Sequence, residues 1–181
     1  MGKPRPRKKA PATVIHRPNL SAGPGWVIAP GFYSRRGRRS FVSGDPHGDR
    51  IRIRFYRRAR GRALMAKVWF GPGAEGPPGH AHGGSLAAVL DSVMGRCAWM
   101  SGRKVLAAEM TVSYRRMVPL NVVVEARARL AGGEGRKVRV EGSIQGPDGQ
   151  VSCEGRGLYI ELRPAQLNRL ALDMPEALRS V

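Results

Sequence analysis

The sequence has few of the features that mark several common protein classes. Its 181 residues include two cysteines, Cys97 and Cys153, which are too few for a disulfide scaffold. No apolar run approaches the roughly 18–20 residues that a membrane-spanning helix requires. Apolar types still make up 41% of the chain. A chain of this length and composition predicts one folded domain of about 130–160 residues plus a tail.

Acidic residues are also scarce. The chain has 13 acidic and 32 basic residues, a formal net charge of +19. Residues 1–60 hold 16 basic and two acidic residues, a charge of +14, whereas residues 61–181 contribute +5. A strongly basic protein often binds nucleic acid or anionic surfaces. Because this charge is concentrated near the N-terminus and no nucleic-acid-binding module accompanies it, no specific nucleic-acid partner is predicted.

The first 30 residues contain six prolines, a basic run and no acid, which predicts a disordered tail. The same composition occurs in mitochondrial transit peptides, but prolines would break the amphipathic helix of such a peptide. The low cysteine content is typical of a reducing compartment. We therefore predict a cytoplasmic protein, with a mitochondrial one as the minor alternative. The predicted divisions are a tail over 1–30, a folded domain over 31–165 and a C-terminal tail over 166–181.

Hydrophobic periodicity predicts one long helix and six strands. Residues 86, 89, 90, 93, 94 and 97 are apolar at helical spacing, Gly83 and Gly84 open this helix, and Gly102 lies beyond its end. Alternating patterns predict strands over 49–58, 63–70, 105–115, 122–130, 136–145 and 150–163. A short helix is predicted around 165–172. The order predicts an α+β fold in which a curved antiparallel sheet wraps one central helix.

The predicted helix has one acidic residue, Asp91, on a face of small residues. This face consists of Gly84, Ala87, Ala88, Gly95 and Ala98. A carboxylate buried there is costly unless it is paired, hydrogen-bonded or functional. Two interpretations stay open at this point, a catalytic group and a structural aspartate that accepts hydrogen bonds from buried backbone donors.

The start of the helix is a second candidate site. His82, Gly83 and Gly84 place backbone N–H groups at a helix N-terminus, where the helix dipole favours a developing negative charge. The alternative is that the glycines are needed only because the backbone there adopts torsion angles that other residues disfavour. His80 and His82 have the spacing of two metal ligands, but no third ligand is near in sequence. We therefore predict neither a metal nor another cofactor.

The spacing of the two candidate sites predicts an oligomer. Gly84 and Asp91 are seven residues apart, about 10 Å along a helix, whereas catalytic contacts require about 3 Å. If both act on one carbonyl, they must come from different subunits. The sequence thus predicts a homodimer with two composite sites, and a dimer of dimers stays open.

Several motifs resemble those of hotdog-fold acyl-CoA thioesterases, in particular the phenylacetate-pathway type and its relatives in the mammalian thioesterase superfamily. Residues 82–95 read HGGSLAAVLDSVMG, which is similar to the family's His-Gly-Gly signature with an aspartate nine positions after the histidine. The segments FVSGDPHGDRIRIRF, GPPGHAHGG, EMTVSYRRMVPL and EGRK resemble further family segments in the same order. The resemblance covers residues 41–164 and implies the hotdog fold and hydrolysis of an acyl-CoA.

The resemblance also implies roles for individual residues. Asp91 matches the catalytic carboxylate, which acts as a general base or as a nucleophile. Gly83 matches the backbone donor to the thioester carbonyl oxygen, and His82 lies beside it. The positions that match coenzyme A contacts in close relatives are Ser113, Arg115, Arg136 and Lys137. Basic side chains there suit the phosphates of coenzyme A.

The chain departs from the family at three places. Several relatives have Thr or Ser where this chain has Ala107, and alternation places Ala107 on the same strand face as Glu109. Some relatives have Asn or Gln in the loop where this chain has Glu75 and Gly76, and Met117 replaces a family proline. A protein that binds acyl-CoA with little turnover is therefore the alternative to a hydrolase. A hotdog dehydratase would need a different His and acid spacing.

Overall fold

The structure is a computed structural model that describes residues 17–29, 40–58, 61 and 63–171. In this part of the chain, seven strands form one antiparallel sheet. The strands are β1 Trp26–Ile28, β2 Ile51–Arg58, β3 Leu64–Phe70, β4 Val105–Tyr114, β5 Val123–Glu134, β6 Lys137–Gln145 and β7 Val151–Glu161. The helices are α1 Gly83–Met100 and α2 Pro164–Ala171, with a short 3-10 helix at Pro72–Ala74. The strand order is β1-β2-β3-β5-β6-β7-β4.

Helix α1 packs against the sheet through the apolar stripe that the sequence predicts. Leu86, Leu90, Val93 and Cys97 are all buried. Two sheet glycines allow a close approach: a Cβ on Gly142 would lie 2.9 Å from Met94, and one on Gly155 would lie 3.1 Å from the same side chain. This packing confirms the predicted α+β architecture, a curved antiparallel sheet around one long helix.

The predicted elements correspond closely to the observed ones. Each of the six predicted strands and the main helix is present, and α2 lies where a short helix is predicted. Strand β5 continues past its predicted end at residue 130 to Glu134, because a register shift between Leu130 and Gly132 lets it keep pairing with β6. The segment GPDG at residues 146–149 forms the turn between β6 and β7, where Gly149 has a φ of 75°.

The structure corrects the boundary of the predicted N-terminal tail. Strand β1 lies inside the tail predicted over 1–30 and pairs with β2. The Trp26 ring lies 5.7 Å from the Tyr56 ring, and the Tyr56 hydroxyl donates a hydrogen bond to the Leu20 carbonyl. Ala29 is buried. The strand Trp26–Ile28 forms although Gly23, Pro24 and Gly25 directly precede it. Residues 1–16 and residue 30 of the predicted tail lie outside the described residues.

The alternation predicted for β4 is interrupted near its start. The register with β7 shifts between Ala107, which pairs with Tyr159, and Glu109, which pairs with Leu158. Directly paired residues share a face of the sheet, so Ala107 is on the face of Tyr159, which packs against α1. The prediction that Ala107 and Glu109 share a face is therefore wrong, because an irregularity at residue 108 inserts one extra residue.

We expect Trp26→Ala to destabilise the fold. The half-buried indole packs on Tyr56, and removing a fully buried Trp costs about 3–5 kcal/mol, so roughly half that value is expected here. The melting temperature should fall by about 2–4 °C per kcal/mol. Ile28→Ala is the control, because Ile28 is 68% exposed on the same strand. Equal melting temperatures of the two variants would mean that β1 contributes no packing.

Candidate functional site

The loop before α1 fixes where the helix begins. The Ala81 N–H donates to the Val118 carbonyl at 2.8 Å, and the His82 N–H donates to the Ala74 carbonyl at 2.8 Å. Gly76 lies so close that a Cβ there would be 2.7 Å from the His82 Cα. Any other residue at 76 would therefore displace the backbone that starts the helix.

The polar side chains of this loop form hydrogen bonds with backbone groups of the same loop. The Glu75 carboxylate accepts a hydrogen bond from the Gly79 N–H at 2.8 Å. The His80 Nδ1 donates to the Pro78 carbonyl at 2.8 Å. Glu75, which stands where some relatives have an amide side chain, is thus engaged in loop closure. Across the described ranges, no group of three His, Cys, Asp or Glu residues could hold a metal ion.

His82 caps the N-terminus of α1. Its backbone is extended, and its Nδ1 accepts a hydrogen bond from the Gly84 N–H at 2.9 Å. Such a cap satisfies one of the helix's unpaired backbone donors. The Gly84 N–H, which the sequence assigns to the substrate, is thus already bonded within the helix start, and its role toward the substrate stays a prediction.

The Gly83 N–H is the donor that stays available. In the described part of the chain it has no hydrogen-bond acceptor. The Gly83 carbonyl accepts a hydrogen bond from the Tyr114 hydroxyl at 3.1 Å. Burial, followed by the nearby Cys153, raises the pKa of Tyr114, so this hydroxyl stays protonated and continues to donate. Tyr114 thereby fixes the Gly83 carbonyl at the helix start.

Asp91 is exposed on α1 in this chain. Its carboxylate forms no salt bridge with any residue that the structure describes. The Tyr159 hydroxyl lies 3.4 Å from Asp91 Oδ1 and 3.4 Å from the Asp91 backbone oxygen. The interpretation of Asp91 as a buried structural residue is therefore wrong for the single chain. Its carboxylate is accessible and has one neighbouring donor.

Sequence reasoning missed Tyr159, although a signal was present. Strand β7 carries Gly155, Gly157 and Tyr159 on its helix-facing side. Two successive glycines on a buried face leave room for a large neighbour. A Cβ on Gly157 would lie 2.5 Å from the Tyr159 ring. The absence of side chains at Gly157 on β7 and Gly95 on α1 therefore leaves the space that the tyrosine ring occupies.

The two predicted catalytic groups, Gly83 and Asp91, lie near opposite ends of the paired strands β4 and β7. Gly83 contacts Tyr114, which pairs with Cys153, whereas Asp91 contacts Tyr159, which pairs with Ala107. Cys153 and Tyr159 are six residues apart on β7, about 20 Å. Within one chain the structure does not bring the Gly83 N–H and the Asp91 carboxylate together.

The four predicted substrate-binding residues also fall into two groups. Ser113 and Arg115 line a cavity of about 450 Å³ on the outer sheet face, where Arg115 pairs with Glu154 at 3.0 Å. Arg136 lies at the β5–β6 turn and donates to the Glu161 carbonyl at 2.9 and 2.8 Å. Seven residues of β7 separate Glu154 from Glu161, about 23 Å. Lys137, also exposed, is next to Arg136.

The structure adds two arginines to the Arg136 group. A concave surface of about 460 Å³ is lined by Arg136, Arg163, Ala165, Gln166 and Arg169. These lining residues include three guanidinium groups and no carboxylate. Sequence reasoning missed Arg163 and Arg169 because they follow the last strand, and only the start of α2 brings them next to the β5–β6 turn.

Neither cysteine is a suitable nucleophile. Cys97 and Cys153 are both buried. Burial raises the pKa of Cys97, and burial together with the neighbouring Glu154 raises the pKa of Cys153 to about 11. Both thiols therefore stay protonated at neutral pH, and a thiolate is the nucleophilic form. Asp91 is left as the accessible candidate on α1.

Comparison with known proteins confirms the predicted resemblance. Residues 78–153 match the family model described as Thioesterase superfamily. Acyl-coenzyme A thioesterase THEM4 of Xenopus laevis is 36% identical over 111 residues, which are 61% of this chain and 50% of that protein. THEM4 of Rattus norvegicus is 33% identical over 111 residues, 61% of this chain and 47% of that protein. The chain thus spans about half the length of these curated relatives.

Solved structures show the hotdog fold. A thioesterase superfamily protein is 29% identical with a TM-score of 0.58, covering 61% of this chain and 54% of that one. A hypothetical thioesterase protein from Streptococcus pneumoniae TIGR4, solved with coenzyme A, is 15% identical with a TM-score of 0.56, covering 62% and 89%. In the described part of this chain, no helix is long and apolar enough to cross a membrane.

We expect His82→Ala to lower the free energy of unfolding by about 1 kcal/mol, because it removes the cap on the Gly84 N–H. His82→Asn is the matched control, since asparagine is among the best capping residues and should retain most of the stability. Urea unfolding of both variants measures the difference. Equal losses would contradict the capping role of the His82 side chain.

Proposed function

We propose that the protein hydrolyses an acyl-CoA thioester to a carboxylic acid and coenzyme A. The observation that carries this proposal is the accessible Asp91 carboxylate on the central helix of a chain whose residues 78–153 match the Thioesterase superfamily. The names of the THEM4 relatives support the same substrate class. Because those relatives are about twice as long, activity and substrate are assigned here from the site.

In the proposed reaction, Asp91 acts as a general base. It takes a proton from water as the water oxygen attacks the thioester carbonyl carbon. The carbonyl oxygen becomes an oxyanion, which accepts a hydrogen bond from the Gly83 N–H at the positive end of the α1 dipole. The tetrahedral intermediate then collapses, the C–S bond breaks, and the thiolate of coenzyme A leaves and is protonated.

A nucleophilic carboxylate is the alternative for the same residue. An Asp91 oxygen would attack the carbonyl carbon, expel the thiolate of coenzyme A and form a mixed anhydride. Water would then cleave the anhydride to release the acid and regenerate Asp91. A single turnover in ¹⁸O-labelled water that labels the Asp91 carboxylate identifies the anhydride route with water attack at the Asp91 carbonyl carbon, because direct attack of water on the thioester labels only the product acid.

The composite site requires two subunits in this proposal. Gly83 and Asp91 are eight positions apart on α1, about 12 Å. Among the described strands, β4 is an edge that hydrogen-bonds to β7 alone. Its ten residues include a single charge, Glu109, and such a lightly protected edge favours pairing with another strand. Two-fold antiparallel pairing of β4 would place the Ala107 end beside the partner's Tyr114 end.

That pairing would bring an Asp91 carboxylate close to the Gly83 N–H of the other subunit, although the two groups lie far apart within one chain. The Asp91 and Tyr159 end of one protomer would meet the Gly83 and Tyr114 end of the other. A homodimer would then contain two equivalent sites, each built from both chains. Further assembly into a dimer of dimers is compatible with the same pairing, and the predicted cytoplasmic location stays a prediction.

The arginines near the β5–β6 turn supply the proposed site for coenzyme A phosphates. Arg136 is held by its two hydrogen bonds to the Glu161 carbonyl, and Arg163 and Arg169 add positive charge to the same concave surface. Guanidinium groups bind phosphate through paired N–H donors. Asp91 lies toward this end of the sheet, since Tyr159 pairs with Val138 next to the turn.

A second candidate function is acyl-CoA binding with little turnover. The observation that favours it is Ala107, which carries no hydroxyl where several relatives have Thr or Ser. Release of free thiol from a panel of acyl-CoA substrates separates the candidates. A hydrolase releases thiol from some member of the panel, whereas a binding module retains acyl-CoA without releasing it.

We expect Asp91→Asn to lower kcat by about 10²–10⁴, the usual contribution of a general base, because the amide cannot accept the water proton. The dissociation constant of a non-hydrolysable acyl-CoA should change little. Asp148→Asn is the control, since Asp148 is an exposed aspartate in the β6–β7 turn. Full turnover by Asp91→Asn would eliminate this residue as catalyst.

Mixed dimers should recover activity from two inactive parents. Gly83→Pro removes the N–H, and the backbone accommodates the proline ring because Gly83 is the first helical residue and His82 has a ψ of 138°, which a residue before proline readily adopts. Gly83→Ala controls for the added Cβ, which lies 3.4 Å from the Tyr114 ring. Mixing Gly83→Pro with Asp91→Asn should restore up to about one quarter of wild-type activity, since half of the dimers are mixed and each has one intact site. Absence of recovery in verified mixed dimers would contradict the composite site.

A further inference from the structure

The Tyr159 hydroxyl has an unusual position for a buried tyrosine. Tyr159 is 2% exposed, and its hydroxyl lies 3.4 Å from Asp91 Oδ1 and 3.4 Å from the Asp91 backbone oxygen. It is thus the hydroxyl group that contacts the proposed catalytic carboxylate from inside the fold. Nothing in the sequence resemblance assigns it a role.

We propose that Tyr159 is a positioning residue that orients the Asp91 carboxylate for catalysis, a role that rests on the proposed hydrolase function. An aspartate on an exposed helix face can rotate about its terminal torsion angle. A hydrogen bond from Tyr159 to Oδ1 restricts that rotation. The other carboxylate oxygen, Oδ2, then keeps a fixed direction and a free lone pair for the attacking water.

The surroundings of Tyr159 are built to hold its ring in one place. The ring lies over Gly157, where a Cβ would be only 2.5 Å away, and a Cβ on Gly95 of α1 would lie 3.5 Å from the ring. The ring therefore occupies the space between two glycines, one on β7 and one on α1. Its hydroxyl can reach Asp91 because neither position carries a side chain.

The chemistry of the hydroxyl agrees with a donor role. Burial raises the pKa of Tyr159, and the negative charge and hydrogen bond of Asp91 raise it further. The phenol therefore stays protonated over the whole range in which a thioesterase is assayed. It donates to the carboxylate and does not itself titrate.

The residue paired with Tyr159 offers no polar group of its own, so positioning of Asp91 depends more on the Tyr159 hydroxyl. Ala107 pairs with Tyr159 on the helix-facing side of the sheet, and alanine has no group that can contact a carboxylate or a water. At the position where several relatives supply a hydroxyl, this chain has Ala107. Tyr159 is the polar side chain that the same part of the sheet provides.

Tyr159→Phe tests the proposal because it removes the hydroxyl and keeps the ring between the two glycines. We expect kcat to fall by about tenfold or more, in line with loss of a hydrogen bond to a charged group, with KM changed less than twofold. Tyr56→Phe is the matched control. The Tyr56 hydroxyl is also buried and bonded, to the Leu20 carbonyl, but lies at the β1 side of the sheet.

A double-mutant cycle separates positioning from packing. If Tyr159 acts through the carboxylate, Tyr159→Phe should have less than a twofold effect on the residual rate of Asp91→Asn. Equal factors in the two backgrounds would indicate a merely structural role and overturn the proposal. Gly157→Ala provides a second variant, since it displaces the ring and keeps the hydroxyl, and it should show the same dependence on Asp91.

The outcomes also distinguish this proposal from the proposed function. If Asp91→Asn is impaired and Tyr159→Phe retains full kcat, the positioning role is overturned and the hydrolase mechanism stands. If Asp91→Asn retains full kcat, the mechanism itself is contradicted and the role of Tyr159 falls with it.

Discussion

The close packing of α1 against β6 and β7 is the constraint on which the rest of the structure depends. Met94 reaches the sheet only because Gly142 and Gly155 have no side chains. Burial of the α1 stripe supplies the main apolar contact between the helix and the sheet, and each fully buried aliphatic side chain contributes about 1.5–3 kcal/mol. Once the stripe is buried, the rotation of α1 is fixed. The small-residue face with Asp91 must then lie toward the edge of the sheet.

That rotation determines what each end of the helix can do. The N-terminus is pinned by the 3-10 segment and capped by His82, which uses the Gly84 N–H and leaves that of Gly83 available. Two turns further along, Asp91 is accessible to solvent and contacts Tyr159. A single chain therefore carries two halves of a site and keeps them about 12 Å apart along the helix. The proposed mechanism needs a second subunit because the fold keeps these two groups apart within one chain.

An irregularity in strand β4 determines which face of the sheet carries each residue that departs from or matches the family pattern. The irregularity near residue 108 turns Ala107 toward the helix side and Glu109 toward the outer face. Ser113 and Arg115 lie on this outer face as well, away from the face that carries Tyr114 and Tyr159. The residues matched to coenzyme A contacts are consequently divided between the outer face and the β5–β6 turn.

The sequence by itself determined the helix, six of the seven strands and the candidate pair Gly83 and Asp91, because periodicity and glycine placement are local properties. Strand β1 was missed since its three residues form a strand only through pairing with β2. The face of Ala107 and the contact of Tyr159 with Asp91 were decided by the tertiary structure alone. Each depends on hydrogen bonds or register between segments far apart in sequence: Tyr159 and Asp91 are 68 residues apart, and no local pattern specifies which two side chains meet across such a separation.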